Sequence, residues 1–386
     1  MYTGYEWEDR RALMESSIDT FIDECSFREF FNRVREDIIG QDEELIKACY
    51  NVYRYMEGLA NGRKTKSNFI ISAPSGSGKT EFYRSVKKII NDVYRCKIPI
   101  VQIDMSSFTE VGYKGRNVSE ILKELVCSGS QCGEGIVFLD EFDKKLIHSV
   151  TGDGVNLNGG VQNGLLAMIE GYKYSASKID DFELIKGGNR KFDTGKTLFI
   201  GLGAFQACRE KKVKDDEKIS LGFAIQKETE KIDIYTDIDY QDILDFGCCA
   251  ELLGRFSQVV NFHKLSDEAY ARILKEYVSK LDYLPCGCRV MVTNEGADDF
   301  LQFANSEMGI REMKRRLDAT IQPNIIKMML DGERKEGTCI IVNGYLKTEE
   351  TAYHTGESQE NEDDNSEYVY KKGLKPVRKA DGCPFE

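Results

Sequence analysis

The chain has 386 residues, of which 41% are hydrophobic and 31% are charged, and its formal net charge is −12 at pH 7. This length fits two domains, since one domain commonly has about 100–200 residues. The acidic balance argues against broad, nonspecific binding to nucleic acid, which depends on basic surfaces. The N-terminal segment MYTGYEWEDRRAL is too charged for a signal peptide, and no apolar run approaches the length of a transmembrane helix. We therefore expect a cytoplasmic protein without a membrane segment.

The twelve cysteines do not form a recognisable metal motif. No two of them have the CxxC spacing, and only three histidines are available as further ligands. Cysteines scattered through a long chain are typical of free thiols in a reducing cytosol. We therefore expect no zinc site.

The first predicted elements are helices. Apolar spacing indicates an amphipathic helical extension over residues 1–36. Ile38 and Ile39 then precede a second helix. This apolar pair is well placed to contact an adenine ring if a nucleotide binds to the loop that follows. The same residues can also form a hydrophobic staple at the helix N-terminus, and the two roles are compatible.

Residues 68–80 (NFIISAPSGSGKT) combine a short buried strand with a glycine-rich loop that ends in Lys79-Thr80, and an amphipathic helix follows over residues 81–94. This order of strand, loop and helix is typical of a phosphate-binding loop. Backbone N–H groups of such a loop and the positive end of the helix dipole bind phosphate oxygens. Lys79 can neutralise the β- and γ-phosphates of a nucleotide, and the Thr80 hydroxyl can ligate Mg²⁺. The predicted nucleotide-binding residues of this segment are Pro74, Ser75, Gly76, Ser77, Gly78, Lys79 and Thr80.

This loop departs from the usual pattern at its first position, where glycine is common and this chain has Ala73. An alanine costs little free energy there if its φ angle is negative, so we interpret Ala73 as a tolerated variant. The alternative interpretation is a Ser/Gly turn between a strand and a helix that binds no ligand.

A second strong signal lies in residues 135–143 (GIVFLDEFD), which predict a buried strand ending in Asp140-Glu141. Acidic residues at the carboxyl end of a strand lie where an open α/β sheet binds its ligands. Asp140 can therefore bind the nucleotide through Mg²⁺, and Glu141 can orient and activate the attacking water. In isolation the same pattern is also typical of a strand that simply ends in exposed acids.

The middle of the chain continues the alternation of strands and helices. Further strands are predicted over 98–104, 196–205 and 259–262, and helices over 118–125, 160–171 and 242–256. Residues 172–195 read as an exposed polar loop. Residues 206–237 are charged, with little predicted order apart from an apolar island around 219–223. The last of these helices exposes Arg255, directly after Gly254.

From residue 265 the pattern becomes mainly helical. Helices are predicted around 268–282, 295–306 and 309–330, and a short strand over 338–342. Residues 348–370 contain eight acids and no lysine or arginine, and five basic residues follow within 371–379. This composition predicts a disordered tail.

The phosphate loop, the strand ending in Asp-Glu, the Gly-Arg pair and the C-terminal helical part together resemble the AAA+ ATPases. Segments along the chain also resemble those of the ClpX unfoldase family, in the same order. They are IIGQDE, GSGKT, EVGYKGRNV, IVFLDEFDK, GVQNGLLAMIEG, TLFIGLGAF, DFGCCAELLGRF and MGIREMKRRL, and the resemblance covers approximately residues 27–345.

The resemblance implies an α/β fold, in which a AAA+ P-loop large domain with a parallel sheet between helices precedes a small, mainly helical C-terminal domain. We expect the large domain over residues 37–263, the small domain over 264–346 and the charged tail over 347–386. The resemblance also implies a homo-hexameric ring with ATP and Mg²⁺ bound between subunits.

The resemblance further assigns roles to residues that carry little signal by themselves. Arg255 resembles the arginine finger that reaches the nucleotide of the neighbouring subunit, and Arg311 resembles the sensor-2 arginine. Tyr113 would grip the substrate polypeptide in the axial pore, within the loop Gly112, Tyr113, Lys114 and Gly115. Leu221, Gly222 and Phe223 resemble the loop that docks ClpX on the ClpP peptidase, although such an apolar tripeptide can also be a local staple.

The sequence also departs from this family. No segment matches the four-cysteine zinc domain that ClpX proteins usually carry, which leaves the use of adaptors open. The strand TLFIGLG offers no obvious polar sensor-1 side chain, and Lys114 and Arg116 make the pore loop more basic than expected. Residues 190–191 resemble a shortened basic loop that contacts substrate, or form a solvated turn.

The predicted function is ATP-driven unfolding and threading of polypeptides, into a ClpP-like peptidase. One alternative is a remodelling chaperone that feeds no peptidase. A second is a nucleic-acid motor or loader, which the acidic charge and the lack of a nucleic-acid-binding motif disfavour. A third is a scaffold that holds ATP without turnover, and Glu141 and Arg255 argue against it.

Overall fold

The computed structural model describes residues 4–63, 65–108, 117–130, 132–147, 157–175, 191–220, 235–281, 288–304, 308–331 and 338–352. The chain forms two compact units. The first comprises Met1–Ala269 with Glu307–Gly309, and the second comprises Tyr270–Ser306 with Ile310–Glu386. Within the described ranges, no helix is both long and apolar enough to cross a membrane.

The first unit is built around a five-stranded sheet in which all neighbouring strands are parallel. The strands are β1 Phe69–Ser72, β2 Ile100–Asp104, β3 Gly135–Asp140, β6 Thr197–Gly203 and β7 Val259–Asn261. Their order across the sheet is β2-β3-β6-β1-β7. Since parallel strands all end on the same side, the segments that follow them gather at one edge, which we call the carboxyl edge.

Successive side chains of the strands enter two hydrophobic cores on opposite faces of the sheet. Phe69 and Ile71 pack in the first core, whereas Ile70 packs in the second. The first core is completed by helices α1 Gly4–Glu24, α2 Phe27–Asp37, α3 Asp42–Ala60 and α4 Lys79–Lys87. The second is completed by α5 Glu120–Cys127, α6 Leu157–Glu170, α7 Gln206–Ser220, α8 Tyr240–Phe246 and α9 Ala250–Leu253. Burial on both faces explains why the strands are almost continuously apolar.

The N-terminal extension predicted over residues 1–36 corresponds to α1 and α2. Ser26 caps α2, because its hydroxyl accepts a hydrogen bond from the Glu29 N–H group at 3.2 Å. Phe21 of α1 packs edge to face on Phe30 of α2, with 6.1 Å between the ring centroids. Both rings are fully buried, so these helices are an integral part of the first core.

Two segments that the sequence predicts to be irregular contain regular structure. Within residues 172–195, the described ends Lys173–Ser175 (β4) and Lys191–Asp193 (β5) pair as antiparallel strands. Helix α7 occupies the start of the charged segment 206–237. Its first turns are held in place by Cys208 and Arg209, which are 2% and 1% exposed. The sequence analysis therefore missed a packed helix, because the segment is highly charged.

The second unit combines helices with a small sheet. Its helices are α10 Asp267–Ser279, whose first residues belong to the first unit, α11 Asn294–Phe300 and α12 Ile310–Asp331. Its strands are β8 Arg289–Val292, β9 Thr338–Gly344 and β10 Lys347–Ala352. Strand β9 lies in the centre, parallel to β8 and antiparallel to β10.

The predicted disordered tail does not begin at residue 347, because Lys347–Ala352 forms strand β10. The Thr348 hydroxyl donates a hydrogen bond to Asn324 Oδ1 at 3.0 Å, and Asn324 Nδ2 donates to Glu350 Oε1 at 3.0 Å. The strand thus pairs with β9 on its edge and binds α12 through its side chains. These long-range partners order an acidic segment whose composition alone is typical of disorder.

Candidate functional site

The predicted phosphate loop leaves the sheet at the carboxyl edge, between β1 and α4. Gly76 and Gly78 have φ angles of 82° and 100°, a left-handed region in which other residues are strained. Gly78 is the N-cap of α4 and supplies no side chain to the helix terminus. A helix N-terminus without a side-chain cap is a place where backbone N–H groups can bind an anion.

Ala73 is compatible with the loop. It is fully buried and does not have a positive φ angle, which is the condition under which alanine replaces glycine at little cost. Its N–H group donates to the Gly203 carbonyl at 3.1 Å, which joins the start of the loop to the end of β6. The departure from the usual glycine therefore leaves the geometry of the loop intact.

The side chains of the loop fit an anionic ligand. Lys79 Nζ donates hydrogen bonds to the Ala73 carbonyl and, at 3.0 Å, to the Pro74 carbonyl, so its charge lies over the loop. The Ser77 hydroxyl is buried and has no hydrogen-bond partner. A cation held over left-handed glycines and an unsatisfied buried hydroxyl match the donors that a nucleoside triphosphate needs. Thr80, in the first turn of α4, is half-buried.

Ile38, one of the two residues predicted to contact adenine, lies against this loop. It is buried, and a Cβ atom built on Gly78 would lie 3.6 Å from Ile38 Cγ2 and 3.9 Å from Phe262 Cε2. Ile39 is half-buried. Phe262, which sequence reasoning missed, follows β7 directly, and its N–H group donates to the Ser72 carbonyl at 2.9 Å. Ile38 and Phe262 therefore form an apolar surface beside the phosphate loop.

Asp140 and Glu141 end β3 at the same carboxyl edge. Asp140 Oδ2 accepts a hydrogen bond from Gln102 Nε2 of β2 at 2.6 Å, and its Oδ1 accepts from the Glu141 N–H group at 3.0 Å. Glu141 has a φ angle of 56°, which is unusual for a residue other than glycine. Such strain often occurs at functional positions. The Glu141 side chain is exposed, and its contact with Lys144 Nζ is 3.9 Å long.

Asp143, which the sequence analysis did not single out, links this acidic turn to the end of β6. Its Oδ2 atom accepts a hydrogen bond from the Phe205 N–H group at 3.0 Å, while the buried Oδ1 atom has no hydrogen-bond partner. Phe205 also has a positive φ angle, of 50°. Two strained backbone positions, Glu141 and Phe205, are thus joined through one buried carboxylate.

Arg255 lies at the opposite edge of the sheet from the phosphate loop. Its carbonyl accepts a hydrogen bond from Asn68 Nδ2 at 3.1 Å, and Asn68 directly precedes β1. Its guanidinium forms an ion pair with Glu170 at the end of α6. Along β1, Asn68 is about 17 Å from Ala73 at the start of the phosphate loop, so the Arg255 backbone is held far from the loop of its own chain.

The remaining predicted site residues belong to the second unit or lie outside the described residues. Arg311 lies in the first turn of α12, in the second unit, where it is exposed. The predicted pore loop and docking loop, Gly112–Gly115 and Leu221–Phe223, lie outside the described residues, as does Arg190. Their roles stay predictions.

The buried cysteines have the properties of structural thiols. Burial raises the pKa of the Cys208 thiol to about 11 and that of Cys248 to about 12, so both stay protonated at neutral pH. Within the part of the chain that the structure describes, no cluster of three or more His, Cys, Asp or Glu residues could hold a metal ion.

Comparison with known proteins identifies the family. The sequence profile of the AAA domain (Cdc48 subfamily) matches residues 64–259. The Clp protease ATP-binding subunit ClpX 2 of Wolinella succinogenes is 30% identical over 315 residues, which cover 75% of each chain. ClpX of Porphyromonas gingivalis is 26% identical over 345 residues (80% of this chain and 79% of the relative), and ClpX of Azotobacter vinelandii is 28% identical over 342 residues (78% and 73%). The chain is an ATPase and belongs to the ClpX-type AAA+ family.

Proposed function

We propose that this ATPase unfolds polypeptides and threads them through a ring of its own subunits. The observation that carries the proposal is the shared carboxyl edge of β1 and β3, which only β6 separates. The phosphate loop and the pair Asp140-Glu141 therefore leave the sheet at the same edge, with one strand between them, as ATP hydrolysis requires. The relatives are named as ATP-binding subunits of the Clp protease, which supports polypeptide as the substrate.

In this proposal, the backbone N–H groups around Gly76 and Gly78 bind the phosphates, and Lys79 exchanges its carbonyl partners for β- and γ-phosphate oxygens. Thr80 and Asp140 would hold Mg²⁺, which neutralises charge on the phosphates when bound. Glu141 accepts a proton from the attacking water. Its carboxylate is available for this role, because it is 50% exposed and its ion-pair contact with Lys144 is 3.9 Å long.

Assembly into a ring explains the position of Arg255. The Arg255 backbone is bound to Asn68, at the amino end of β1, and is therefore poorly placed to reach the phosphates of its own chain. Its side chain is exposed and can reach a neighbouring subunit. We assign it the role of an arginine finger in a homo-hexamer, and we assign Arg311 the role of a sensor for the nucleotide state. Hydrolysis would then change the arrangement of subunits around the bound polypeptide.

Two loops connect this cycle to protein substrates. Tyr113, between Gly112 and Gly115, would contact the polypeptide in the pore, since an aromatic ring offers contact area that tolerates many sequences. Leu221, Gly222 and Phe223 would dock the ring on a ClpP-like peptidase. This assignment rests on the resemblance to ClpX and on the apolar character of the tripeptide in a charged segment.

The test is the ATPase rate of the full chain with and without an unfolded protein, in the wild type and in Tyr113→Ala. We expect polypeptide to stimulate turnover and the variant to lose unfolding of a tagged fluorescent protein while it keeps basal turnover. Tyr50→Ala, which removes an exposed tyrosine from α3, is the matched control. Turnover that ignores polypeptide but rises with DNA or RNA would overturn the proposal in favour of a nucleic-acid motor.

The peptidase step needs a separate experiment. Degradation of the unfolded substrate by an added ClpP-like peptidase should depend on Leu221 and Phe223, and replacing both with alanine should abolish degradation but not unfolding. Degradation that survives the double substitution would contradict the docking role. Unfolding without any degradation would identify the protein as a remodelling chaperone.

A further inference from the structure

Arg209, in the second turn of α7, is the largest fully buried side chain of the described residues, with 1% of its surface exposed. Among the described residues, its guanidinium finds three hydrogen-bond acceptors. The hydrogen bonds run from Nε to the Thr236 carbonyl at 2.8 Å, from Nη1 to the Ala204 carbonyl, and from Nη2 to the Ser72 hydroxyl at 2.5 Å. The three acceptors lie in parts of the chain that are distant in sequence.

These acceptors converge on the start of the phosphate loop. Ser72 is the last residue of β1, fully buried, and directly precedes Ala73. Ala204 follows the last residue of β6, whose carbonyl accepts from the Ala73 N–H group. The guanidinium therefore links the end of β1 to the end of β6, at the residues from which the loop begins.

Such a buried cation needs an explanation, because removing a charge from water is costly and an apolar side chain can fill the same volume at lower cost. The position of the charge supplies one. Beneath a loop that binds a triphosphate, a desolvated positive charge increases the attraction for phosphate, since electrostatic interactions are stronger where water is excluded. Strand β6 itself ends in Leu202 and Gly203, which bring no charge to this place.

We infer that Arg209 is a positioning residue for the nucleotide site, which fixes the start of the phosphate loop through Ser72 and adds positive charge beneath it. This inference rests on the proposed role of residues 73–80 in binding ATP. Arg209 acts through Ser72 and the loop, and it does not touch the reacting atoms. Its loss should therefore weaken nucleotide binding more than it slows the chemical step.

The test compares Arg209→Met, Arg209→Lys and Ser72→Ala with a control at the other edge of the sheet. Tyr55→Phe is suitable, because the buried Tyr55 hydroxyl accepts from the Gly135 N–H group at 3.0 Å and lies 2.7 Å from the Lys196 carbonyl, at the amino ends of β3 and β6. The measurements on each full-length variant are the Kd of a fluorescent methylanthraniloyl-ATP, the KM and kcat for ATP, and the midpoint of thermal unfolding.

We expect Arg209→Met to raise the Kd and KM by about tenfold, the effect of one lost hydrogen bond to a charged group, with a smaller change in kcat. Arg209→Lys should recover part of the affinity because it keeps the charge, and Ser72→Ala should raise the Kd by about threefold. Tyr55→Phe should lower the unfolding midpoint without changing the Kd.

Unchanged nucleotide affinity in Arg209→Met, together with a lower unfolding midpoint, would overturn the inference and leave Arg209 a purely structural residue. If Arg209→Met does not fold, wild-type Kd values in both Arg209→Lys and Ser72→Ala would overturn it equally. The proposed function fails in a distinguishable way, since the wild-type chain would then show no affinity for the ATP analogue at all.

Discussion

Arg255 and Glu170 form an ion pair within one chain, between the residue proposed as arginine finger and the last residue of α6. Both side chains are almost half exposed, at 46% and 44%. Exposed ion pairs stabilise proteins by only about 0–1 kcal/mol, because water and salt screen them. Glu170 therefore orients Arg255 when no nucleotide is near. The attraction of Arg255 to the phosphates of a nucleotide is much stronger than this ion pair.

The first prediction follows from this weak anchor. Arg255→Ala should lower kcat by about a thousandfold, as expected for a lost arginine finger, with little change in nucleotide Kd. Glu170→Gln should change kcat by less than about threefold and leave the unfolding midpoint close to the wild type. Steady-state ATPase assays check both variants. A large loss of activity in Glu170→Gln would show that the carboxylate itself is needed for turnover.

Mixed rings test whether Arg255 acts on a neighbouring subunit. Arg255→Ala subunits keep Glu141, and Glu141→Gln subunits keep Arg255, so each alone should be inactive. In mixtures, an Arg255→Ala subunit beside a Glu141→Gln subunit has a complete site, and activity should return. Arg255 acting within its own chain predicts no recovery, because neither type of subunit then contains a complete site.

The second prediction separates binding from hydrolysis. Lys79→Ala should raise the Kd for ATP by at least about tenfold, since it removes the charge that lies over the loop carbonyls of Ala73 and Pro74. Glu141→Gln should leave that Kd within about threefold and lower kcat by at least about a hundredfold, because the amide cannot accept the proton of water. Equilibrium binding of the fluorescent analogue and ATPase assays distinguish the two. Equal loss of binding in both variants would contradict these roles.

The places of the central candidate residues in the fold could be predicted from the sequence, because they are encoded locally. Buried parallel strands are continuous apolar runs, and the glycines, Lys79 and the pair Asp140-Glu141 follow such runs directly. The phosphate loop and the acidic turn could thus be assigned to their strands before their shared edge was known.

Arg209 could not be predicted in this way. It stands in the segment CREKKVKDDEK, where several charged residues are equivalent by composition. Arg209 is the residue that meets the Ser72 hydroxyl and the Ala204 and Thr236 carbonyls. Two of these acceptors, Ser72 and Thr236, are distant from Arg209 in sequence, and the local pattern carries no signal for them. Strand β10 could not be predicted either, because the partners that order it are β9 and Asn324 and its own acidic composition does not indicate them.

The third prediction concerns the buried carboxylate of Asp143. Asp143→Ala should lower the free energy of unfolding by about 1–3 kcal/mol, because it leaves the buried Phe205 N–H group without an acceptor. Asp143→Asn should cost less, since its amide oxygen can accept the same hydrogen bond. Denaturant unfolding of both variants measures the difference. Equal destabilisation would mean that the negative charge, rather than the acceptor, stabilises the turn.

The last prediction concerns the second unit and its pH dependence. Glu312, in the first turn of α12, accepts hydrogen bonds from Arg315 Nε at 2.8 Å and from Arg316 Nε at 2.7 Å, and these arginines lower its pKa from 4.5 to about 2. Arg316 Nη1 also donates a hydrogen bond to the Tyr345 hydroxyl at 2.7 Å. The carboxylate therefore belongs to a connected set of groups that joins α12 to the turn after β9.

Because the pKa of Glu312 is lower in the folded state than in the unfolded state, its contribution to stability is fully present above about pH 4.5 and is lost as the pH falls toward about 2. Glu312→Gln should therefore lower the unfolding midpoint at neutral pH, and the difference from the wild type should shrink as the pH falls through this window. Calorimetry of both chains from neutral pH to about pH 3 measures that difference. Glu295→Gln, which removes an exposed carboxylate from α11 of the same unit, is the control and should show no such convergence. A difference between Glu312→Gln and the wild type that stays constant over this range would mean that the arginines bind the glutamine amide as well as they bind the carboxylate.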